Sequence, residues 1–274
     1  MRGRIWLVAG LVVVIVAVAV GVVLYMRDDS NDVAQGCKLV SPPAGAPVND
    51  ATGVRLAEQG YTRVGSLATS NVTIGAVLEN PSDKVAYRTR VSFDVLGPEG
   101  QSVVADVSRR YQILEVPIIL PGAKIPVGTA LSPNRLAEVS SVTIKPVVNQ
   151  WLAAGGPDDG LAPIAVTPLT DKITSDDQGF GHLAYRTTSA NCTNLYSRGS
   201  SFVLRDTSGK IVGGGFSEQP QASGCDIDDD RFDNAFTTAQ RGVPQTADLP
   251  KTEIASLCDV SPRPEPAGPS APIN

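Results

Sequence analysis

The hydrophobic pattern of this chain begins with an uninterrupted apolar run near the N-terminus. Residues 5–26 read IWLVAGLVVVIVAVAVGVVLYM, 22 positions without one charged side chain. A helix needs about 20 apolar residues to cross the hydrocarbon core of a bilayer, and in lipid its backbone must bond internally. Trp6 and Tyr25 stand near the two ends, where amphipathic rings favour the headgroup layer. The run therefore predicts a transmembrane helix.

Two other interpretations of this run are a cleaved signal peptide and a lipid-modified N-terminus. A signal peptide has an apolar core of about 7–15 residues followed by a small-residue cleavage site. This run is longer and ends in Leu24-Tyr25-Met26-Arg27, without such a site. Lipidation requires a cysteine directly after the run, but Cys37 lies well beyond its end. A retained anchor is the favoured interpretation.

The positions of the charged residues and the cysteines predict how this anchor is oriented in the membrane. Arg2 and Arg4 precede the run, and Arg27 and Lys38 follow it, so the positive-inside bias is small. All 4 cysteines follow the anchor, and an even set of cysteines is typical of an exported region with two disulfides. We predict a single-pass cell-membrane protein with a cytoplasmic N-terminus and everything from about residue 28 outside the cell.

Beyond the anchor, the pattern is that of short β-strands. In segment 87–95, apolar residues or threonine alternate with arginine, serine and aspartate. The residues of the more apolar face are Tyr87, Thr89, Val91, Phe93 and Val95. This period of two predicts a half-buried antiparallel strand. Segment 72–78, VTIGAVL, predicts another strand, which ends at the turn signal NPSD.

The order of these elements recurs further along the chain. Segments 93–100 and 202–209 both begin with phenylalanine and end with glycine, 109 residues apart. Two more echoes, at offsets of 120 and 115 residues, join Pro121-Gly122 to Arg241-Gly242 and segment 138–142 to segment 253–257. We interpret this order as two copies of one domain of about 100 residues. The alternative is coincidence between two generic β domains.

Each copy contains about six or seven short strands separated by turns, which is typical of an antiparallel sandwich. The predicted fold class is all-β, with tandem immunoglobulin-like antiparallel β-sandwiches after a single N-terminal transmembrane helix. The predicted segments are a cytoplasmic tip and helix at 1–27, a stalk at 28–50, a first sandwich at 51–151, a linker at 152–164, a second sandwich with disulfides at 165–260 and a disordered proline-rich tail at 261–274.

A short motif in the second copy consists of Phe202, Leu204, Asp206 and Gly209, which read F-x-L-x-D before a glycine. In this motif the chain resembles the FxLYD-type family of extracytoplasmic immunoglobulin-like domains. Arg205 stands where the family motif has tyrosine, and the first copy has Val95 and Gly97 where the motif has leucine and aspartate. The resemblance implies a binding or structural module, and it supplies no catalytic residues.

Composition narrows the choice of partner. The formal net charge is -5 and the sequence pI is about 5.0, which argues against nucleic acid, because phosphate binding needs a basic face. Arginine outnumbers lysine 16 to 7, and alanine, valine and glycine are abundant. This usage resembles that of high-GC Gram-positive bacteria.

The four cysteines allow three pairings. If consecutive strands alternate in direction, the turn at Cys192 and the loop at Cys225 lie at the same end of the second sandwich. We therefore expect a Cys192–Cys225 disulfide, which leaves Cys37 for Cys258. No C-x-x-C motif is present, so a redox role is not expected.

Catalysis is not expected from these residues. His182 is the single histidine, and no G-x-S-x-G motif offers it a nucleophile. One histidine and four cysteines in disulfides leave no ligand set for zinc. We predict that the protein is not an enzyme and has no cofactor, with calcium as the single metal to consider.

The calcium candidates lie in one acidic loop. Its carboxylates are Asp226, Asp228, Asp229, Asp230 and Asp233, and carboxylate oxygens are the ligands that Ca²⁺ prefers. The first, third and fifth positions of an EF-hand loop are matched, but Arg231 stands at the glycine position and Thr237 at the bidentate glutamate position. The alternative is a solvated acidic loop beside a disulfide.

These observations predict a membrane-anchored extracytoplasmic binding or structural module of the cell envelope, with an envelope protein or polymer as partner. Arg109-Arg110 and the Arg88 and Arg90 strand face are candidates for anionic polymers, or else ordinary solvated surface. One alternative is an envelope-enzyme accessory or a Ca²⁺-dependent glycan- or substrate-binding protein. Another is a lipid or small-ligand carrier, which requires a cavity between the sheets.

Overall fold

Strands dominate the computed structural model, which describes residues 37, 39–40, 47–66, 69–154, 161–175, 180–218, 224–226 and 235–261. The first six strands are β1 (Arg55–Ser66), β2 (Thr69–Glu79), β3 (Val85–Leu96), β4 (Ile113–Ile119), β5 (Lys124–Leu131) and β6 (Ser141–Leu152). The other seven are β7 (Ile164–Pro168), β8 (Thr174–Ser175), β9 (Phe180–Ser189), β10 (Tyr196–Arg205), β11 (Ile211–Ser217), β12 (Ala235–Arg241) and β13 (Glu253–Asp259). Helical structure in the described residues is confined to short 3₁₀ turns at Asp106–Tyr111, Thr170–Lys172 and Leu249–Lys251. The all-β prediction is confirmed.

The strands form four antiparallel sheets. Sheet 1 has the order β1-β2-β5, and sheet 2 has the order β4-β3-β6. Sheet 3 has the order β11-β10-β13, and sheet 4 has the order β12-β9-β7, with β8 also paired to β9. If the two-residue β8 is set aside, the last six strands repeat the sheet order of the first six. Sheets 1 and 2 enclose one apolar core, and sheets 3 and 4 enclose another.

The sequence echoes correspond only in part to this order. Phe93 on β3 pairs with Ile144 on β6, and Phe202 on β10 pairs with Ile254 on β13, so the two phenylalanines occupy equivalent places. Pro121-Gly122 precedes β5, whereas Arg241-Gly242 closes and follows β12. Segment 138–142 begins before β6, whereas segment 253–257 lies wholly inside β13. These last two alignments are wrong, because turn residues and strand starts recur at many places in a β protein.

Strand β3 departs from the predicted alternation at one residue. Val91, Phe93 and Val95 lie in the first core as expected. Tyr87 instead lies in a separate cluster with Val85 and Leu152, and the first core receives the neighbouring Ala86. The cause is Arg88, whose φ of 51° is left-handed and so breaks the pleat that sends alternate side chains to opposite faces. The prediction that Tyr87 shares the face of Phe93 is therefore wrong.

Strand β2 is buried on both faces. Every residue from Val72 to Leu78 is buried, which explains why this segment is apolar throughout instead of alternating. Ile74 and its even-numbered neighbours face the first core. On the opposite face, Val77 packs against Val203 of β10 and Ile211 of β11. Sheet 1 therefore lies between sheet 2 and sheet 3, and the described residues after Cys37 belong to one compact unit.

Glycines bring sheets 1 and 3 unusually close together. A Cβ added to Gly75 would lie 2.2 Å from the carbonyl oxygen of Gly213, and one added to Gly128 would lie 2.4 Å from the amide nitrogen of Gly215. Carbon atoms in contact normally lie about 3.5–4.0 Å apart. A Cβ added to Gly60 would lie 1.9 Å from the carbonyl oxygen of Ile211. The two backbones touch where ordinary sheets are separated by two layers of side chains.

Two hydroxyl groups bond across this glycine contact. The Thr73 hydroxyl donates to the carbonyl oxygen of Gly214 at 2.8 Å and accepts from the amide of the same residue at 3.0 Å. The amide of Gly128 donates to the Ser201 hydroxyl at 3.1 Å. Both hydroxyl-bearing residues are fully buried, where an unmade hydrogen bond would cost about 1–3 kcal/mol. These bonds therefore fix the position of one sheet on the other.

The predicted transmembrane run, including Trp6 and Tyr25, lies outside the described residues. Within the part of the chain that the structure describes, no helix has the length and apolar character needed to cross a bilayer. Residues 48–50, at the end of the predicted stalk, pair with β6 through hydrogen bonds at Val48 and Asp50. Of the predicted tail, Ser261 is described, and its hydroxyl lies 2.9 Å from the hydroxyl of Tyr87.

The glycine contact predicts an unusual response to Gly128→Ala. Alanine in an extended strand is normally favoured over glycine by about 0.5–1 kcal/mol. Here we expect the free energy of unfolding to fall by about 3 kcal/mol, because the methyl group collides with the backbone of β11. Urea unfolding of the full-length chain in detergent measures this change.

Gly209→Ala is the control for this substitution. Gly209 has a φ of 88° with no atom within 4 Å of an added Cβ, so we expect a cost of about 1–2 kcal/mol from backbone strain alone. A Gly128→Ala protein as stable as the wild type would contradict the close sheet contact.

Candidate functional site

The disulfide between Cys225 and Cys258 lies at one end of the second sandwich, with 5.7 Å between the Cα atoms. The expected Cys192–Cys225 and Cys37–Cys258 pairs are therefore wrong. The start of β10 lies beside the end of β13, and the amide of Leu195 donates to the carbonyl oxygen of Cys225 at 3.0 Å. This hydrogen bond holds the Cys225 loop beside the start of β10, and the disulfide joins the loop to β13. Cys37 and Cys192 are also disulfide-bonded, so the prediction of two disulfides is confirmed.

An apolar groove of about 200 Å³ begins beside this disulfide. We call it the edge groove, because the strands that border it are β4, β5, β7 and β13, and each of these lies at the edge of its sheet. Its apolar lining includes Ile118, Leu120, Ile125, Leu161, Ile164 and Cys258. The groove lies beside the sheets, whereas a carrier needs a cavity between the two sheets of one sandwich.

Prolines shape what the edge groove can bind. Pro126 lies within β5 opposite Val77, Pro117 lies within β4, and Pro163 lines the groove just before β7. Proline has no amide hydrogen, so it weakens the capacity of an edge strand to pair with an added strand. A ligand would therefore be held mainly by burial of apolar side chains and less by backbone pairing.

A buried ion cluster lies near the groove, at the end of β13. Asp259 is fully buried and contacts the guanidinium groups of Arg198 on β10 and Arg88 on β3. The Tyr87 hydroxyl donates to the Asp259 carboxylate at 2.9 Å. Burial raises the pKa of Tyr87, and the charge of Asp259 adds to this effect. The cluster joins sheet 2 of the first sandwich to sheet 3 of the second.

The other predicted site residues are not brought together in the described structure. His182 lies exposed on β9. Asp226 is described, but Asp228, Asp229, Asp230 and Asp233 lie outside the described residues, so the calcium hypothesis stays a prediction. In the described ranges, no group of three or more histidine, cysteine, aspartate or glutamate residues could hold a metal ion.

The arginine candidates have separate surroundings. Arg90 is exposed on β3, whereas Arg88 belongs to the Asp259 cluster and is not part of a solvated face. Arg109 pairs with Asp106 at 3.0 Å. Arg110 lies over the ring of Tyr111, with 4.6 Å between the guanidinium carbon and the ring centroid. The sequence pattern missed both Asp259 and the edge groove, and the prolines within β4 and β5 were the available signal for edge strands.

Comparison with protein-family models finds no match, and comparison with curated proteins finds none either. The resemblance to FxLYD-type domains therefore stays a prediction that rests on its short motif.

The ion cluster predicts that Asp259→Asn destabilises the fold. Loss of the carboxylate charge leaves the buried Arg198 guanidinium without the carboxylate that it contacts and removes one of the two carboxylates beside Arg88. Removal of one partner from a buried pair typically costs about 3–5 kcal/mol. We expect the free energy of unfolding to fall by about 3 kcal/mol in urea titrations of the full-length chain.

The matched control is Glu115→Gln. Glu115 lies 3.9 Å from Arg88 but is 48% exposed, so we expect a change within about 0.5 kcal/mol. If both substitutions lowered the free energy of unfolding equally, the buried charge of Asp259 would contribute no more to stability than the exposed charge of Glu115.

Proposed function

We propose that this protein is a membrane-anchored extracytoplasmic binding module of the cell envelope that acts without catalysis. The observation that carries the proposal is the apolar edge groove, which lies where the two sandwiches meet. The charge-free run at residues 5–26 supports the anchor. The disulfides support export, because disulfides persist in oxidising compartments.

The sheet orders support immunoglobulin-like sandwiches. In that fold, strands A, B and E share one sheet, and strands C and F share the other, sometimes with an added C′ strand. Sheets 1 and 4 match the A-B-E order, and sheets 2 and 3 match the C′-C-F order. On this basis we interpret residues 55–152 and 164–259 as two copies of one sandwich.

The size and lining of the edge groove favour a protein partner. Small-molecule sites commonly occupy about 300–1,000 Å³, and this groove is smaller, at about 200 Å³. Its volume matches one or two apolar side chains of a partner protein. Anchor residues at the centre of an interface fill pockets in this way. A lipid or small-ligand carrier is less favoured, because most of such a ligand would remain exposed here.

Two matched leucine substitutions test whether a partner binds in the edge groove. Leu161 lines the edge groove, and Leu136 is 67% exposed elsewhere on the first sandwich. We expect Leu161→Asp to reduce partner recovery about tenfold after cross-linking in intact cells, because a carboxylate would be buried against apolar surface. Quantitative mass spectrometry of the cross-linked complex measures the recovery.

Leu136→Asp controls for the added charge, and it should leave partner recovery unchanged. Recovery of the same partners in equal amounts from both variants, or of no partner from the wild type, would refute binding through the edge groove.

A further inference from the structure

A second groove lies on the first sandwich, at the end away from the Asp259 cluster. We call it the Tyr111 groove. It has a volume of about 410 Å³ and lies between the 3₁₀ turn that ends at Tyr111, the start of β2, the end of β5 and Phe216 of β11. This volume falls within the range of about 300–1,000 Å³ that is usual for small-ligand sites. The groove is therefore large enough for a ligand of that class.

Two aromatic rings form the apolar part of the Tyr111 groove. Tyr111 is 36% exposed, and Phe216 packs against it edge to face, with 6.3 Å between centroids and 64° between planes. The Phe216 contact limits movement of the Tyr111 ring. The part of the ring that Phe216 and Arg110 leave exposed offers apolar surface against which C–H groups of a ligand can pack.

The rest of the lining is polar and carries unused hydrogen-bonding capacity. Asn71, Ser108, Thr129 and Ser132 contribute an amide and three hydroxyls. The Asn71 side-chain oxygen accepts from the Ser132 hydroxyl at 2.7 Å, which fixes the amide and leaves its two N–H donors without a partner among the described residues. The Ser108 hydroxyl accepts from the amide of Ser132 at 3.0 Å, and its own hydrogen has no acceptor among the residues that the structure describes.

One positive charge stands next to this groove, on the residue that precedes Tyr111. Arg110 lies over the Tyr111 ring and donates to its hydroxyl. Its neighbour Arg109 is paired with Asp106, but Arg110 contacts no carboxylate among the described residues. The Arg110 charge beside the groove favours an anionic ligand, although the whole chain is acidic.

We propose that the Tyr111 groove binds an acidic sugar unit of an envelope glycan. A sugar ring has C–H patches that pack against exposed aromatic surface and hydroxyls that accept from amide and hydroxyl donors, and a uronic acid adds a carboxylate for Arg110. An apolar peptide side chain fits this groove less well, because it would leave the Asn71 amide and the Ser108 hydroxyl desolvated without partners.

This site is distinct from the edge groove. The Tyr111 groove and the edge groove share no lining residue, and the two proposals share only the envelope location. If Leu161→Asp abolishes cross-linking to the partner, glycan binding should remain intact. If a Tyr111 groove variant abolishes glycan binding, cross-linking to the partner should remain intact. The two failures are therefore distinguishable.

The test is calorimetric titration of the full-length chain in detergent with two soluble probes, tetragalacturonate and neutral chitotetraose. We expect tetragalacturonate to bind with a Kd on the order of 1 mM or tighter. Tyr111→Ala should weaken this binding about tenfold, through loss of the aromatic surface. Tyr111→Phe keeps the ring and should stay within about twofold of the wild type.

Arg110→Gln and Tyr196→Ala complete the set of variants. Arg110→Gln should weaken tetragalacturonate binding about fivefold and leave chitotetraose binding unchanged, because only the acidic probe uses the charge. Tyr196 is 50% exposed on the second sandwich, so Tyr196→Ala is the matched loss of a tyrosine and should not alter binding.

Three results would overturn the proposal. One is the absence of saturable binding of tetragalacturonate by the wild-type chain, and another is wild-type binding by Tyr111→Ala. The third is equal affinity for tetragalacturonate and chitotetraose, which would show that Arg110 does not select an acidic sugar. Urea midpoints of the variants establish that each is folded, and Tyr111→Phe and Arg110→Gln keep the test decisive if Tyr111→Ala does not fold.

Discussion

The backbone contact between sheets 1 and 3 is the constraint on which the rest of this structure depends. Sheets usually pack about 10 Å apart, because side chains fill the space between them. Here Gly75 and Gly128 face the glycines of β11, so carbonyl and amide groups come into direct contact. The buried hydroxyls of Thr73 and Ser201 then supply the hydrogen bonds that the close approach requires. Two sandwiches are thereby fixed in one arrangement.

Both ends of this arrangement follow from the glycine contact. Because sheets 1 and 3 lie so close together, edge strands of both sandwiches meet along one side and border the edge groove. At the same end, Arg88 turns Tyr87 toward the second sandwich, where Asp259 receives the tyrosine hydroxyl and two guanidinium groups. At the other end, Phe216 of β11 reaches Tyr111 of the first sandwich. The Tyr111 groove therefore also contains residues of both halves.

Local patterning predicted the elements of this fold well, but it did not predict their contacts. The alternation in segment 87–95 and the apolar segment 72–78 each identified a strand, because burial of one or both faces leaves a direct mark on residue type. The left-handed Arg88 left no such mark, since arginine is not a residue that favours this conformation. The disulfide pairing depended on which loops meet at one end of the sandwich, and this is a long-range property that spacing does not contain.

The run Gly213-Gly-Gly215 is another feature whose contacts the sequence pattern does not predict. This run lacks the lysine and the hydroxyl residue of a phosphate loop, so its sequence predicts no phosphate site. Its structural role depends on β2 and β5, which lie opposite it. Asp259 and the edge groove were likewise hidden, because each is assembled from both halves of the chain. A site assembled from both halves of the chain is not visible in the pattern of either half.

The glycine contact also joins two different surfaces. It joins sheet 1 of one sandwich to sheet 3 of the other, and repetition of such a contact would build an open filament. The outer face of sheet 2, which has the same strand order as sheet 3, carries exposed Arg90, Glu115 and Lys145. Another copy stacked there would have to bury these charges. Burial of these charges would oppose the addition of a third sandwich on this face.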